Sequence, residues 1–132
     1  MKTNIGLLLT KRAHLNPDRE AYVESDGSRR YTFKELNERS NRLANALKAN
    51  GLQKGDRVGL LLMNSVEFME SFFAIGKVGG VVVPLNWRLV ADELEFILKD
   101  SGVKTLIFDN DFAATVAAVS YTHLRAHETA MY

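Results

Sequence analysis

The chain has 132 residues, 46% hydrophobic and 25% charged, with 17 Lys and Arg against 16 Asp and Glu. That is one domain's worth of ordinary globular composition, which excludes disordered, collagenous and low-complexity classes. A net charge of +1 argues against a nucleic-acid partner, and the lack of cysteine excludes disulfide scaffolds, thiol nucleophiles and cysteine-ligated metals.

No stretch reaches the ~18 apolar residues of a membrane span. The apolar run at Leu7–Leu9 is shorter than the roughly 7 residues of a secretory signal. The expected location is cytoplasmic. Ile5, Leu8, Leu9 and Ala13 share one face of a helix predicted over Asn4–Leu15, with Thr3 or Asn4 as its cap. Asn16-Pro17 ends it, because proline disfavours helix at the residue before it. A hairpin follows, Ala21–Glu24 and Arg29–Thr32 around Asp26-Gly27, both of which tolerate positive φ.

Thr32-Phe33-Lys34-Glu35 reads as a capping box opening a second helix. Its apolar stripe is Phe33, Leu36, Ser40, Leu43, Ala44 and Leu47, with Glu35–Arg39 and Glu38–Arg42 pairs outside and Gly51 as the stop. The period then changes. Arg57–Leu62 is a continuous apolar run suited to a strand buried on both faces. A helix over Ser65–Val78, a strand at Val81–Val83, a helix over Ala91–Ser101 and a strand at Lys104–Phe108 complete a βαβαβ unit with right-handed crossovers. The fold class is therefore α/β. In the Ser65–Val78 helix, Glu67, Glu70, Ser71 and Lys77 form a narrow polar stripe that reads as solvated. The apolar remainder is more than one sheet face covers, and with strand edges at Val81–Val83 and Leu106–Phe108 it predicts self-association.

Chemistry-bearing residues are sparse. Gly76-Lys77-Val78-Gly79-Gly80 closes a helix rather than opening one, so it reads as a C-cap and not a phosphate loop. No serine sits in a nucleophile elbow, and His14 ends a helix, where the dipole favours it. His123 and His127 are spaced i,i+4 beside Glu128, but no third ligand is evident, so no metal site is assigned. Pro84-Leu85-Asn86-Trp87-Arg88-Leu89 follows a buried strand, and ligands gather beyond the carboxyl ends of parallel strands. Arg88 is the single substrate-binding candidate. The competing reading has it pin the loop by bonding backbone carbonyls.

Several segments together resemble the N-terminal region of the adenylate-forming acyl-CoA synthetase superfamily. Tyr31-Thr32-Phe33-Lys34-Glu35-Leu36 is similar to its Tyr-Thr-Tyr/Phe-x-Glu-Leu, and Gly55-Asp56-Arg57-Val58 to its Gly-Asp-Arg-Val. Asn64–Phe68, Ala74–Gly80 and Pro84–Leu89 follow in family order, so the resemblance covers nearly all of Asn4 to Val119. It implies part of the large N-terminal domain of that fold, with an N-terminal helix and hairpin before the βαβαβ unit. It also implies, for an intact parent, an AMP-forming acid–thiol ligase of fatty-acid metabolism using ATP, Mg and CoA on a carboxylic acid. The family's Ser/Thr/Gly-rich phosphate loop ending in Pro-Lys, its adenine and ribose segments and its C-terminal lysine are absent from the chain. No catalytic, cofactor-binding or metal-binding residue can therefore be carried over, and the chain alone is expected to be inactive. Residues 1–119 are read as a partial N-terminal domain of an AMP-dependent synthetase/ligase. Residues 120–132, which lack apolar period, are read as a non-native, adapter-derived tail. The competing readings are a free-standing noncatalytic α/β binding or interaction module and a small Rossmann-like nucleotide binder.

Overall fold

Local sequence signals set the helix ends in the computed structural model, which describes residues 4–63, 65–119 and the backbone of 125–128. Helix α1 (Gly6–Leu15) starts where Asn4 Oδ1 accepts from Gly6 N at 2.7 Å. Strands β1 (Glu20–Val23) and β2 (Arg30–Thr32) form the antiparallel hairpin, with a register shift between Glu20 and Tyr22. Only Gly27 adopts positive φ at the turn; Asp26 does not, so the tip is not the two-residue mirror turn that Asp-Gly suggested. Instead Gly27 N donates to Glu24 O, and Asp26 Oδ1 accepts from Ser28 N, both at 2.9 Å.

Helix α2 (Phe33–Ala49) opens on the expected capping box: Thr32 Oγ1 accepts from Glu35 N and Glu35 Oε1 from Thr32 N. Its buried residues are Leu36, Ser40, Leu43, Ala44 and Leu47, and Gly51 is left-handed beyond its end. Burying a leucine such as Leu36 or Leu47 contributes about 1.5–3 kcal/mol.

The second half is the parallel sheet: β3 (Arg57–Leu61), α3 (Val66–Val78), β4 (Val81–Pro84), α4 (Ala91–Ser101) and β5 (Thr105–Phe108). A 3-10 turn at Asn110–Phe112 leads into α5 (Ala113–Ala117), and β6 (Arg125–Glu128) follows. The strand order is β4-β3-β5-β6, all parallel. Strand β3 is central and buried from Val58 onward. Its alternate residues face opposite ways, as pleating requires. Val58 and Leu60 join α2 and α3 in one core, while Leu61 meets Leu94, Leu98, Leu106 and Phe108 under α4 in another. A third cluster, Leu9, Leu36 and Val66 with Tyr22, Tyr31 and Phe73, fills the space between α1, α2, α3 and the hairpin.

Two expectations are corrected. The face of α1 is rotated: Gly6, Leu9 and Ala13 are buried, whereas Ile5 and Leu8 are exposed. Packing explains this. A Cβ on Gly6 would lie 2.5 Å from the Lys77 backbone N, and one on Gly76 3.1 Å from Gly6 N, so α1 crosses α3 glycine against glycine. The apolar circumference of α3 packs against the sheet on one side and α1 and α2 on the other, with Phe68, Met69, Phe72 and Phe73 only partly buried. Strand β5 is not the edge expected: β3 and β6 flank it. The backbone of β6 lies within the segment read as a tail. Because that backbone is extended, the i,i+4 helical geometry considered for His123 and His127 does not arise at His127, and His123 lies outside the described residues.

Candidate functional site

The polar stripe of α3 is where the structure departs furthest from the sequence reading. Glu70 is 1% exposed, and its Oε2 accepts from Arg39 Nε of α2 at 2.6 Å. Arg39 thus turns inward rather than pairing with Glu35, whose carboxylate is occupied in the cap, and its guanidinium lies 4.8 Å from the Tyr31 ring. Burial pushes the Glu70 carboxyl above its ordinary pKa despite the opposing hydrogen bond and charge of Arg39. One turn back, burial also acts on Glu67, but there Arg29 outweighs it and holds the carboxyl below its ordinary value. Arg29 bridges Glu67, at 2.7 Å, and Glu24, at 2.6 Å, tying the hairpin to α3. Ser71, expected in water, is fully buried, as is Ser40 of α2, and among the described residues neither hydroxyl has a hydrogen-bond partner. Lys77 is also withdrawn: its ammonium donates to Thr10 Oγ1 of α1 and to Asn37 Oδ1 and Asn41 Oδ1 of α2. Desolvation lowers its pKa.

The sheet's carboxyl edge is the natural place for a ligand. Between the ends of β3 and β5, where the chain leaves in opposite directions, a crevice of about 350 Å³ is lined by Arg29, Met63, Ser65, Glu67, Asp109 and Asp111. Most of its polar groups serve the fold. Asp109 Oδ2 accepts from Met63 N, Ser65 Oγ donates to Met63 O and caps α3, and Arg29 is held by its two glutamates. Among the described residues no group of three or more His, Cys, Asp or Glu side chains is placed to hold a metal.

Arg88 lies beyond β4 on this same edge. Its guanidinium stacks on the neighbouring Trp87, 4.9 Å from the ring centroid, and both residues are exposed. Among the described residues it bonds no backbone carbonyl. The loop is pinned by other groups: Asn86 Oδ1 accepts from Arg88 N, and Leu85 N donates to Leu60 O of β3. The glycine cluster does not fit a nucleotide phosphate. Gly79, at φ 82°, caps the C-terminus of α3, the negative end of its dipole, and Lys77 points into α1 and α2. His14 is exposed in the last turn of α1. Sequence reasoning missed the Arg29, Arg39 and Lys77 junctions, whose partners are 31 to 67 positions away. The available signal was a charged residue on an otherwise apolar helix.

A family model described as AMP-binding enzyme matches residues 9–131. The chain belongs to the AMP-binding enzyme family. Within it, a long-chain-fatty-acid–CoA ligase of Mycobacterium tuberculosis is 46% identical over 116 residues, 88% of this chain and 23% of the relative. A feruloyl-CoA synthase of Amycolatopsis is 41% identical over the same shares. The chain thus spans about a quarter of the length of the curated relatives it matches. In three dimensions it superposes on the crystallised N-terminal domain of FACL13 from Mycobacterium tuberculosis with a TM-score of 0.90 and 40% identity, covering 98% of this chain and 34% of that one. An anthranilate CoA ligase solved with anthranoyl-AMP gives 0.89 at 29% identity, over 98% and 25%. The α/β architecture is therefore that of the N-terminal domain of AMP-binding enzymes. The family model runs through β6 into the segment read as a tail. No helix among the described residues is long and apolar enough to cross a membrane.

Proposed function

We propose that this chain is scaffold of an ATP-dependent acyl-CoA ligase, the part of the N-terminal domain that precedes the nucleotide-binding elements. In such a ligase a carboxylate oxygen attacks the α-phosphorus of ATP and expels pyrophosphate. The thiol of CoA then attacks the acyl carbonyl and expels AMP, with Mg assisting at the phosphates. The observation carrying this reading is the 46% identity to a CoA ligase across 88% of the chain. No step is assigned to residues of this chain, because its glycine cluster and Lys77 serve the fold. Arg88 is the residue we assign to an anionic substrate group, its guanidinium stacked on Trp87 at the sheet's carboxyl edge and, among the described residues, without a hydrogen bond. The chain alone is inactive and self-associates through the outer edge of β4, which among the described residues pairs only with β3. The enzyme is cytoplasmic.

The test is a chimaera in which this chain replaces the matching segment of the Mycobacterium tuberculosis ligase. ATP–pyrophosphate exchange driven by a carboxylate, and CoA thioester formation, are expected to persist. Titration calorimetry of the isolated chain with MgATP is expected to show no binding. A folded chimaera with no exchange on any carboxylate overturns the reading. Micromolar MgATP binding by the chain alone favours a free-standing nucleotide binder.

A further inference from the structure

Between α2 and α3 lies a cavity of about 430 Å³ that shares no lining residue with the carboxyl-edge crevice. Its wall on α2 is Arg39, Arg42, Leu43 and Ala46, the i, i+3, i+4, i+7 spacing of one helical face. Glu70 of α3, 1% exposed, completes the lining. The wall is charged at one end and apolar at the other, because the two arginines precede Leu43 and Ala46 along the helix. Arg39 is fixed in place. Its Nε donates to Glu70 Oε2 and its guanidinium lies over the Tyr31 ring, yet among the described residues its two Nη groups make no hydrogen bond. Arg42 is exposed and has no carboxylate partner among them; the Glu38–Arg42 pair that spacing predicts does not form. Glu70 offsets the charge of Arg39, so the charge of Arg42 is left over.

We propose that this cavity binds a small amphipathic carboxylate, whose oxygens meet the Arg42 fork and the outer donors of Arg39 and whose apolar tail lies along Leu43 and Ala46. Small-molecule sites are concave, mostly apolar and fixed by a few polar groups, with volumes of roughly 300–1,000 Å³. A planar guanidinium suits a carboxylate bidentately, and one already held by Glu70 and Tyr31 loses little freedom on binding. The Glu70 carboxyl in the lining decides the charge of the ligand. It tolerates one negative charge beside two arginines but repels the second charge of a phosphate dianion. A cationic ligand is the poorer occupant, since Glu70 is already taken by Arg39 and Arg42 opposes it. The site contains none of the residues assigned to the ligase reaction, and the inference does not rest on that reading.

The test is titration of the full chain with octanoate, followed by NMR of the arginine Nε–H groups. Saturable shifts are expected at Arg39 and Arg42. Acetate, which has the charge without the tail, is expected to bind much more weakly because it buries less apolar surface. Octylammonium, which has the tail with the opposite charge, is expected to bind more weakly still. Arg42→Gln is expected to raise the octanoate dissociation constant roughly tenfold, as loss of a charged hydrogen bond implies. Arg42→Lys, which keeps the charge without the fork, recovers part of that loss. Ala46→Gln is expected to weaken octanoate and leave acetate unchanged, which a role in folding alone does not do. Arg42 and Ala46 are both exposed, so urea midpoints stay close to that of the parent. Shifts that do not saturate, or octylammonium binding as tightly as octanoate, overturn the proposal. So does an Arg42→Gln variant that binds octanoate as the parent does. Equal affinity for acetate and octanoate means an adventitious anion contact only, and also overturns it.

Discussion

Glu67 and Glu70 sit one turn apart on α3 and are driven in opposite directions by their surroundings. Arg29 lowers the first against its burial, and burial raises the second against Arg39. Linkage gives the two carboxylates opposite effects on stability. For Glu67, whose folded value is depressed, the stabilisation is present above the unfolded value and is lost as pH falls through the folded one. For Glu70, whose folded value is raised, stabilisation is present below the unfolded value and lost as pH rises through the folded one. Carboxyl-carbon NMR titrations, assigned with Glu67→Gln and Glu70→Gln, should show Glu70 protonating first on acidification from neutral. The reverse order would mean that the Arg39 contact dominates burial. The same pair makes a mutational prediction. Arg39→Met alone leaves a buried carboxylate without its cation and should cost about 3–5 kcal/mol in urea melts. Combining it with Glu70→Leu should restore most of that loss, because an apolar pair carries no desolvation penalty. Additivity of the two changes would show that they do not interact.

At the scale of elements, the glycines of α1 and α3 let the two helices cross closely. Gly6→Ala presses a methyl on the Lys77 backbone and Gly76→Ala presses one on the Ile5 side chain and Gly6 N, and each should destabilise by about 1–3 kcal/mol, as overpacking does. Thr32→Ala removes a cap and should cost about 1 kcal/mol. Both are readable from urea midpoints, and a neutral Gly76→Ala would mean that α1 rides over α3 at a distance. These contrasts also show what the sequence made legible. The Thr32–Glu35 box, the α2 stripe and the alternation of strands and helices after Arg57 are local signals, and each element forms at or near its expected bounds. Arg88 is placed on the sheet's carboxyl edge as expected, because the strand before it is parallel, although β4 is a half-exposed edge strand and not the buried one its apolar run suggested. What was not legible depended on partners remote in sequence. The stripe Glu67, Glu70, Ser71 and Lys77 has the look of a wet helix face until α1, α2 and the hairpin fold over it. The rotation of α1 likewise follows from Gly76, which reads alone as part of a helix stop.

At the scale of the whole molecule, the two sheet faces have separate cores, and β6 adds only one outer strand beside β5. Removing residues 120–132 is accordingly expected to change stability by only about 0.5 kcal/mol, as for surface positions outside the core. A loss of several kcal/mol in a truncation at Val119 would show that the outer strand is integral to the sheet. The sheet is incomplete in another respect. Strand β4 offers Val81 and Val83 on an edge that nothing among the described residues pairs, and the relatives extend to about four times the chain's length. Placing a lysine at Val81, which is exposed, should reduce concentration-dependent sedimentation of the isolated chain, because edge charges discourage strand addition. Unchanged association would locate the contact elsewhere.

The Lys77 ammonium joins Thr10 to Asn37 and Asn41, groups separated from it by 67, 40 and 36 positions. During synthesis, α1, the hairpin and α2 therefore leave the ribosome before the helix that completes their layer. Until α3 follows, Leu9, Leu36 and their aromatic neighbours have no lid, and loop closure over this span must precede the contacts that reward it. A nascent chain paused before Lys77 is the form most in need of a chaperone, and substitutions at the three oxygens should be felt as yield in the cell before they are felt as stability in the tube.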